Sequence, residues 1–179
     1  ILDSKTTNLI LDLRNNQGGD VENGVMLLSY LFKKPFKVLE GYACVNKNGS
    51  LKPCGGPALG SHNPNANGFN GNLYVLVNGG SFSNSGIVAS CLKAYNRAIF
   101  IGEETGGNPH VINGDSKDIE LPNTGIYAEI PTKQYIIRNT AANNGRGIFP
   151  DHSIKPTIQD LLRGVDTALA FTVGLIRKH

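Results

Sequence analysis

The sequence predicts an α/β protein built from βα units, in which a buried strand leads into a helix. Residues 8–13 and 73–77 are almost continuously apolar, as expected for central strands of a sheet that is covered on both faces. After each of these strands, from Val21 and from Ile87, the apolar residues change to the helical period. Alternating strands and helices with such strands favour a layered α/β domain over a β-sandwich or a helical bundle.

The remaining elements are predicted from the same periodicities. Residues 46–72 are dominated by Asn, Gly, Pro and Ser, which predicts a long loop. Further strands are expected at residues 36–44, 97–102, 118–121, 126–130 and 134–138, and two closing helices at residues 158–162 and 167–176.

Length and composition indicate one globular domain over residues 1–179. Hydrophobic residues make up 40% of the chain and charged residues 17%, and no apolar run reaches the roughly eighteen residues of a membrane span. The net charge of +3 comes from scattered Lys and Arg, which gives little support for a nucleic-acid partner, and we expect none. The chain starts without Met or a signal peptide, so we expect a C-terminal fragment of a longer protein.

The cysteines leave two alternatives open. Cys44 and Cys54 flank a polar stretch and are expected either to form a disulfide or to remain two free thiols. Cys91 lies at helical spacing from Ile87 and Ala94, and is expected to be a small buried side chain.

Two Gly-rich turns each follow an apolar strand and open a helix. Residues 14–20, here the Gly-Gly turn, contain Gly18 and Gly19, and residues 79–86, here the serine turn, contain Ser83. Free backbone N–H groups at such turns can stabilise an oxyanion, and a serine hydroxyl can act as a nucleophile. The alternative is structural, because Ser is a preferred N-cap residue and Gly is common in tight turns.

Four motifs occur in a fixed order along the chain. They are Asp-Leu-Arg-Asn-Asn-Gln-Gly-Gly at 12–19, Val-Asn-Gly-Gly-Ser-Phe-Ser-Asn-Ser-Gly at 77–86, Ile-Gly-Glu-Glu-Thr-Gly-Gly at 101–107 and Gly-Arg-Gly-Ile-Phe-Pro-Asp at 145–151. Together they resemble the C-terminal processing, or tail-specific, serine peptidases, and within that family the branch of the tricorn core protease and the interphotoreceptor retinoid-binding protein.

The resemblance implies a ClpP/crotonase-like catalytic core and assigns site residues. The serines at 81, 83 and 85 align with the family's Ser-Ala-Ser-Ala-Ser, so the nucleophile would be Ser83. The N–H groups of Gly19 and Asn84 would form the oxyanion hole. The resemblance implies a peptide or protein substrate and an extracytoplasmic location, periplasmic or lipid-anchored, and we expect neither a metal nor a nucleotide cofactor.

The chain departs from the family where the base is expected. The lysine of the Ser-Lys branch is replaced by Asn108, whose amide cannot accept a proton from serine. The carboxylate position of the tricorn-like branch contains Asn143 and Asn144. We therefore expect a base from outside this fragment, with His110 as the weaker candidate inside it, and we expect the isolated fragment to be inactive.

Two other functions remain open on the same residues. Because the family's base and carboxylate are absent, the chain could be a non-catalytic ligand- or peptide-binding module. A third alternative is an acyl-CoA enzyme of the crotonase type, since two oxyanion N–H groups also serve thioesters.

Overall fold

The computed structural model describes residues 5–139 and 143–178. The strands are β1 (Asn8–Asp12), β2 (Leu39–Val45), β3 (Leu51–Cys54), β4 (Asn72–Val77), β5 (Ile99–Gly102), β6 (Val111–Glu120), β7 (Tyr127–Ile137) and β8 (His152–Ser153). The helices are α1 (Val21–Leu31), α2 (Asn84–Ala94), α3 (Ile158–Leu162) and α4 (Thr167–Ile176). The two βα units, β1–α1 and β4–α2, confirm the predicted α/β class.

A parallel sheet forms the centre of the fold, in the order β1-β4-β5-β8. Its strand β4 is apolar from Leu73 to Val77 because both faces are covered. Strand β1, also predicted as a central strand, instead lies at an edge of this sheet in the described part of the chain and is only half-buried. Leu73, Val75 and Val77 belong to a core cluster with residues of α1 and α2. Tyr74 and Leu76 belong to a second cluster that includes Ala168 of α4.

Helix α2 is buried on all sides, so its sequence carries little amphipathic signal. Residues 84–92 are all buried. Ile87 and Leu92 share a core cluster with Leu73 of the parallel sheet, and with Ile112 and Ile137 of a second sheet. A helix in contact with structure all round needs no polar face, and this position places its N-terminus between the two sheets.

The second sheet is antiparallel, in the order β3-β2-β7-β6. The prediction of three short strands between residues 118 and 138 was wrong, because residues 111–137 form one long β6–β7 ribbon. Pro131 lies inside β7 opposite Ser116. It is tolerated because β2 pairs with β7 only at residues 133–137, so no ladder hydrogen bond is lost on that side.

The region predicted as a continuous loop also contains a strand. Strand β3 pairs with β2, and β2 begins at Leu39 rather than at residue 36. Cys44 and Cys54 form a disulfide across this pair, with Cα atoms 5.9 Å apart. Cys91 is a buried free thiol, as expected. The short strand β8 was not predicted.

Candidate functional site

The Gly-Gly turn and the serine turn lie against each other at the carboxyl ends of the paired strands β1 and β4. The Phe82 N–H donates to the Asn16 carbonyl at 3.1 Å, and the Asn15 N–H donates to Asn78 Oδ1 at 3.0 Å. The buried Ser81 hydroxyl donates to the Leu13 carbonyl at 2.7 Å. Ser81 therefore has a structural role, which is to bind the serine turn to the end of β1.

Gly18 makes the closest approach between the two turns. A Cβ atom built at this position would lie 2.6 Å from the Asn84 nitrogen and 2.8 Å from Ser83 Cβ. Its φ of +99° is also one that residues with side chains rarely adopt. The first turn thus needs glycine so that the backbone around residues 18 and 19 can contact the start of α2.

The side chain of Ser83 does not cap helix α2, although the residue stands at the N-cap position. It occupies the N-cap position of α2 with φ 53° and ψ −126°, and its side chain makes no capping hydrogen bond. The structural alternative of an N-cap is therefore wrong for this serine. A non-glycine residue with positive φ is strained, and such strain is concentrated at functional sites. The half-buried Ser83 side chain instead lines a cavity.

Gly19 belongs to the Gly-Gly turn and Asn84 to the serine turn, the two turns that meet at Gly18. Within the described residues, no hydrogen bond uses the backbone N–H of either residue as its donor. The Asn84 side chain is fixed, because its Nδ2 donates to the Asp20 carbonyl. Gly24 of α1 leaves the space that this side chain fills, since a Cβ there would lie 2.6 Å from Asn84 Oδ1.

The cavity that contains Ser83 has a volume of about 340 Å³. One wall comes from the two turns and the first turn of α1, including Gly19, Asp20, Glu22 and Asn84. The opposite wall comes from the β6–β7 ribbon. Its residues are Ile112, Asn113, Gly114, Asp115, Lys133 and Tyr135. None of these residues was predicted from the sequence as part of the site, because no motif marks them.

Three side chains of the ribbon wall form one hydrogen-bonded group, here the Asp115 cluster. Asp115 accepts a hydrogen bond from the Tyr135 hydroxyl at 2.9 Å and forms an ion pair with Lys133. These contacts, first that with Lys133, lower the pKa of the Asp115 carboxyl. Asp115 has φ 51° within β6, a conformation that interrupts the regular alternation of side chains along a strand. The Lys133 ammonium also lies 5.4 Å from the centre of the Tyr42 ring.

The structure does not place His110 in the wall of the Ser83 cavity. Its backbone N–H donates to Asn108 Oδ1 at 2.8 Å, and its Nε2 is buried without a hydrogen-bond partner among the described residues. Asn108 Nδ2 donates in turn to Asn143 Oδ1 at 3.2 Å. The positions that the resemblance assigns to the family's lysine and to its carboxylate are thus in direct contact, and both contain amides.

Two further charged side chains, Lys93 and Glu104, are paired within the fold. Lys93 forms an ion pair with Asp151. Glu104 accepts hydrogen bonds from the Arg146 guanidinium and the Gly147 N–H, so its carboxylate has a structural role. Across residues 5–139 and 143–178, no group of three His, Cys, Asp or Glu side chains could hold a metal ion.

Comparisons of sequence place this chain among peptidases. A protein named Probable CtpA-like serine protease from Staphylococcus aureus (strain N315) is 28% identical over 177 residues, which covers 93% of this chain and 31% of that protein. A Carboxy-terminal-processing protease from Bartonella bacilliformis is 32% identical over 97 residues, 54% of this chain and 21% of that protein. The chain therefore spans about a third or less of the length of these relatives.

Solved structures show the same fold at low sequence identity. Mature CPAF matches with a TM-score of 0.69 at 19% identity, over 88% of this chain and 41% of that one. The tricorn protease matches with a TM-score of 0.55 at 20% identity, over 95% of this chain and 15% of that one. The sequence profile of peptidase family S41 matches residues 1–154, and on that match over most of its length the chain belongs to this family.

Proposed function

We propose that this chain is the catalytic core of a serine endopeptidase that cleaves peptide bonds with Ser83 as its nucleophile. The observation that carries the proposal is the conformation of Ser83, which has φ 53° at the start of α2 and no capping hydrogen bond. A strained turn between a strand and a helix presents a serine hydroxyl to substrate, which is how nucleophilic serines are held in other hydrolases.

The oxyanion hole in this proposal consists of the Gly19 and Asn84 N–H groups. Both belong to the turns that Gly18 brings into contact, and Gly19, Ser83 and Asn84 line one cavity. Asn84 also begins α2, where the helix dipole favours negative charge. A carbonyl attacked by Ser83 would develop its negative oxygen against these donors.

The base in this proposal comes from a part of the protein outside these 179 residues. Asn108 and Asn143 occupy the family positions and cannot take a proton from serine. His110 remains the weaker internal candidate, since it does not line the Ser83 cavity. A histidine supplied from elsewhere would abstract the Ser83 proton and then pass it to the leaving amine.

The substrate class follows from the family, which acts on peptides or proteins. We propose cleavage of extended or C-terminal peptide segments, outside the cytoplasm, in the periplasm or on the cell envelope through a lipid anchor. The Cys44–Cys54 disulfide supports an oxidising compartment. No helix in the described part of the chain has the length and apolarity needed to cross a bilayer.

A fluorophosphonate probe tests the proposal directly. We expect the full-length protein to be labelled at Ser83, as located by peptide mapping, and Ser83→Ala to abolish both labelling and peptide turnover. Ser50→Ala, at an exposed serine in the turn before β3, is the matched control and should change neither. We expect the isolated 179 residues, folded by circular dichroism, to remain unlabelled. An unlabelled full-length protein whose turnover survives Ser83→Ala would refute the proposal.

A binding module without catalysis is the second candidate, and the Asn108–Asn143 contact favours it. Two amides that bond to each other fill the positions where catalytic groups are expected. This candidate predicts that the full-length protein binds peptide without turnover, and that Ser83→Ala leaves the affinity unchanged. A histidine within hydrogen-bonding reach of Ser83 in the full-length protein would argue against it.

A further inference from the structure

We propose that the Ser83 cavity selects peptides that carry a Lys or Arg side chain next to the scissile bond. This inference rests on the proposed function, because it names the substrate class of the same site. It depends on how the charges that line the cavity are paired, and on which of them remain free to meet a substrate.

The cavity is acidic although the whole chain is basic. Its walls contain three carboxylates, Asp20, Glu22 and Asp115, and one cation, Lys133. The formal net charge of the side chains that line the cavity is therefore −2, whereas that of the whole chain is +3. Walls of low dielectric concentrate such a local charge within a cleft, so the cavity favours a positively charged side chain against the net charge of the molecule.

The single cation in the cavity is already paired. Lys133 forms an ion pair with Asp115 and lies over the Tyr42 ring. The second Asp115 oxygen accepts from the Tyr135 hydroxyl, so this carboxylate also has its partners in place. The Asp115 cluster therefore presents an internally neutralised ion pair to a substrate, and it offers no free ammonium for an acidic side chain.

The two carboxylates on the opposite wall are available. Asp20 caps α1 by accepting the Glu22 N–H at 2.8 Å, and Glu22 lies exposed in the first turn of that helix. Within residues 5–139 and 143–178, neither carboxylate takes part in an ion pair. Asp20 directly follows Gly19 in the chain, so the free charge begins one residue from the proposed oxyanion donor.

Two tyrosines, Tyr135 of the ribbon wall and Tyr42 of β2, are affected by this negative charge. Burial raises the pKa of Tyr42 to about 12, with contributions from the charges of Asp115, Glu22 and Asp20. Burial, together with Asp115, likewise raises the pKa of Tyr135 to about 12, and Asp20 adds to the effect. The charges of Asp115 and Asp20 therefore add to the effect of burial at both tyrosines.

A peptide-library digest with the full-length protein tests the inference, because a library samples every cleavage sequence at once. New N-termini identified by mass spectrometry give the frequency of Lys and Arg relative to Asp and Glu on either side of each cut. We expect about a fivefold enrichment of basic residues, the factor for roughly 1 kcal/mol between single charges about 4 Å apart in water. The enrichment should fall as salt is raised, because exposed charges are screened.

Matched variants show whether the cavity causes the preference. Glu22→Gln should lower the enrichment about twofold, and Asp20→Asn combined with Glu22→Gln should reduce it to about one, since asparagine keeps the helix cap. Glu129→Gln removes an exposed carboxylate of β7 that does not line the cavity, and it should leave the enrichment unchanged. Ser83-dependent cleavage with no basic enrichment, or with one that survives the double substitution, would overturn the inference.

Failure of catalysis is distinguishable from failure of charge selection. If the library shows no Ser83-dependent cuts, the proposed function fails and binding becomes the test of the cavity. Fluorescein-labelled decapeptides that differ only by a central Lys or Glu are then titrated into the full-length protein. Tighter binding of the Lys peptide that is lost in the Asp20→Asn, Glu22→Gln variant supports the inference. Equal binding of the two peptides overturns it.

Discussion

Asn108 donates a hydrogen bond from Nδ2 to Asn143 Oδ1 at 3.2 Å. These residues are separated widely in sequence, yet the resemblance assigns them to the positions where one branch of the family has a lysine and another has a carboxylate. The contact shows that the two positions share one place in the fold. In this chain both positions contain amides, and a single hydrogen bond joins them.

Asn108→Lys is expected to give the isolated 179 residues a base of their own. Asn108 itself does not line the Ser83 cavity, but the resemblance implies that the longer side chain of a lysine at this position would accept the Ser83 proton. We expect the rate of fluorophosphonate labelling at Ser83 to rise by about tenfold. This is less than the roughly hundredfold that marks the low end of what a general base contributes. The gain should increase with pH, because only the neutral amine accepts a proton.

Asn144→Lys is the matched control for this gain. It adds the same charge beside Asn143, at a residue whose side chain accepts the Arg146 N–H, and it should leave labelling at the background rate. Equal labelling of the two variants, or labelling that persists after Ser83→Ala, would contradict a base position at residue 108.

Gly18→Ala is expected to destabilise the fold and to abolish Ser83 reactivity together. The new Cβ would lie 2.6 Å from the Asn84 nitrogen, so the two turns must separate, and the φ of +99° adds strain. We expect a loss of about 2–4 kcal/mol in the free energy of unfolding, measured by chemical denaturation.

Gly49→Ala separates the two causes. Gly49 also has a positive φ, +82°, but a Cβ there meets nothing within 4 Å. It should lose only the conformational part, about 1–2 kcal/mol, and should keep full reactivity in the full-length protein. Similar losses in both variants would show that the contact between the turns contributes little.

The sequence predicted the central part of this site better than its surroundings. The strand before Ser83 is buried from Leu73 to Val77, whereas the strand before Gly18 is half-buried at an edge of the same sheet. The apolar runs of both strands were recognisable in the sequence, and they located the turns that follow. No sequence pattern could show that Ser83 fails to cap α2, since a serine at a helix start suits either role. That distinction lies in its backbone angles, which packing of the two turns determines.

The ribbon wall could not be predicted for a different reason. The sequence predicted only three short strands within β6 and β7, and residues 111–117 and 131–133, which contain Asp115 and Lys133, were not predicted as strand. Lys133 and Tyr135 meet Asp115 only because β6 pairs with β7 in this register. Such a cluster depends on long-range pairing and on the left-handed conformation of one aspartate, neither of which leaves a local signal.

Removal of the Cys44–Cys54 disulfide is expected to weaken the fold without disturbing the Ser83 site. The bridge closes a short ring, with a sequence separation of 10, for which chain-entropy arguments give about 2–3 kcal/mol. Chemical denaturation of the Cys44→Ser, Cys54→Ser variant measures this loss. Equal stability with and without reductant would contradict a structural disulfide.

Cys91 should stay unmodified by iodoacetamide in the folded wild type, because burial raises its pKa to about 12.

Arg14 is expected to stabilise the fold rather than to act in catalysis, although it lies in the first family motif. Its guanidinium binds both oxygens of Asp166 at 2.7 Å and also binds Asp12. It thereby joins the end of β1 to the N-cap of α4. These contacts lower the pKa of both carboxyls, first through their hydrogen bonds with Arg14. Because both carboxylates are partly exposed, we expect Arg14→Met to cost about 1–2 kcal/mol at pH 7.

The pH dependence identifies the source of that energy. A carboxyl whose pKa is lowered by folding stabilises the protein above its unfolded pKa, near 4, and this contribution declines as the pH falls toward the folded value. The difference between wild type and Arg14→Met should therefore be constant from about pH 5 to 7 and shrink below about pH 4. Lys155→Met, which removes an exposed partner 3.8 Å from Glu103, should show no measurable difference at any pH. A loss in Arg14→Met that persists undiminished at low pH would assign the effect to packing of the arginine stem instead of to the two carboxylates.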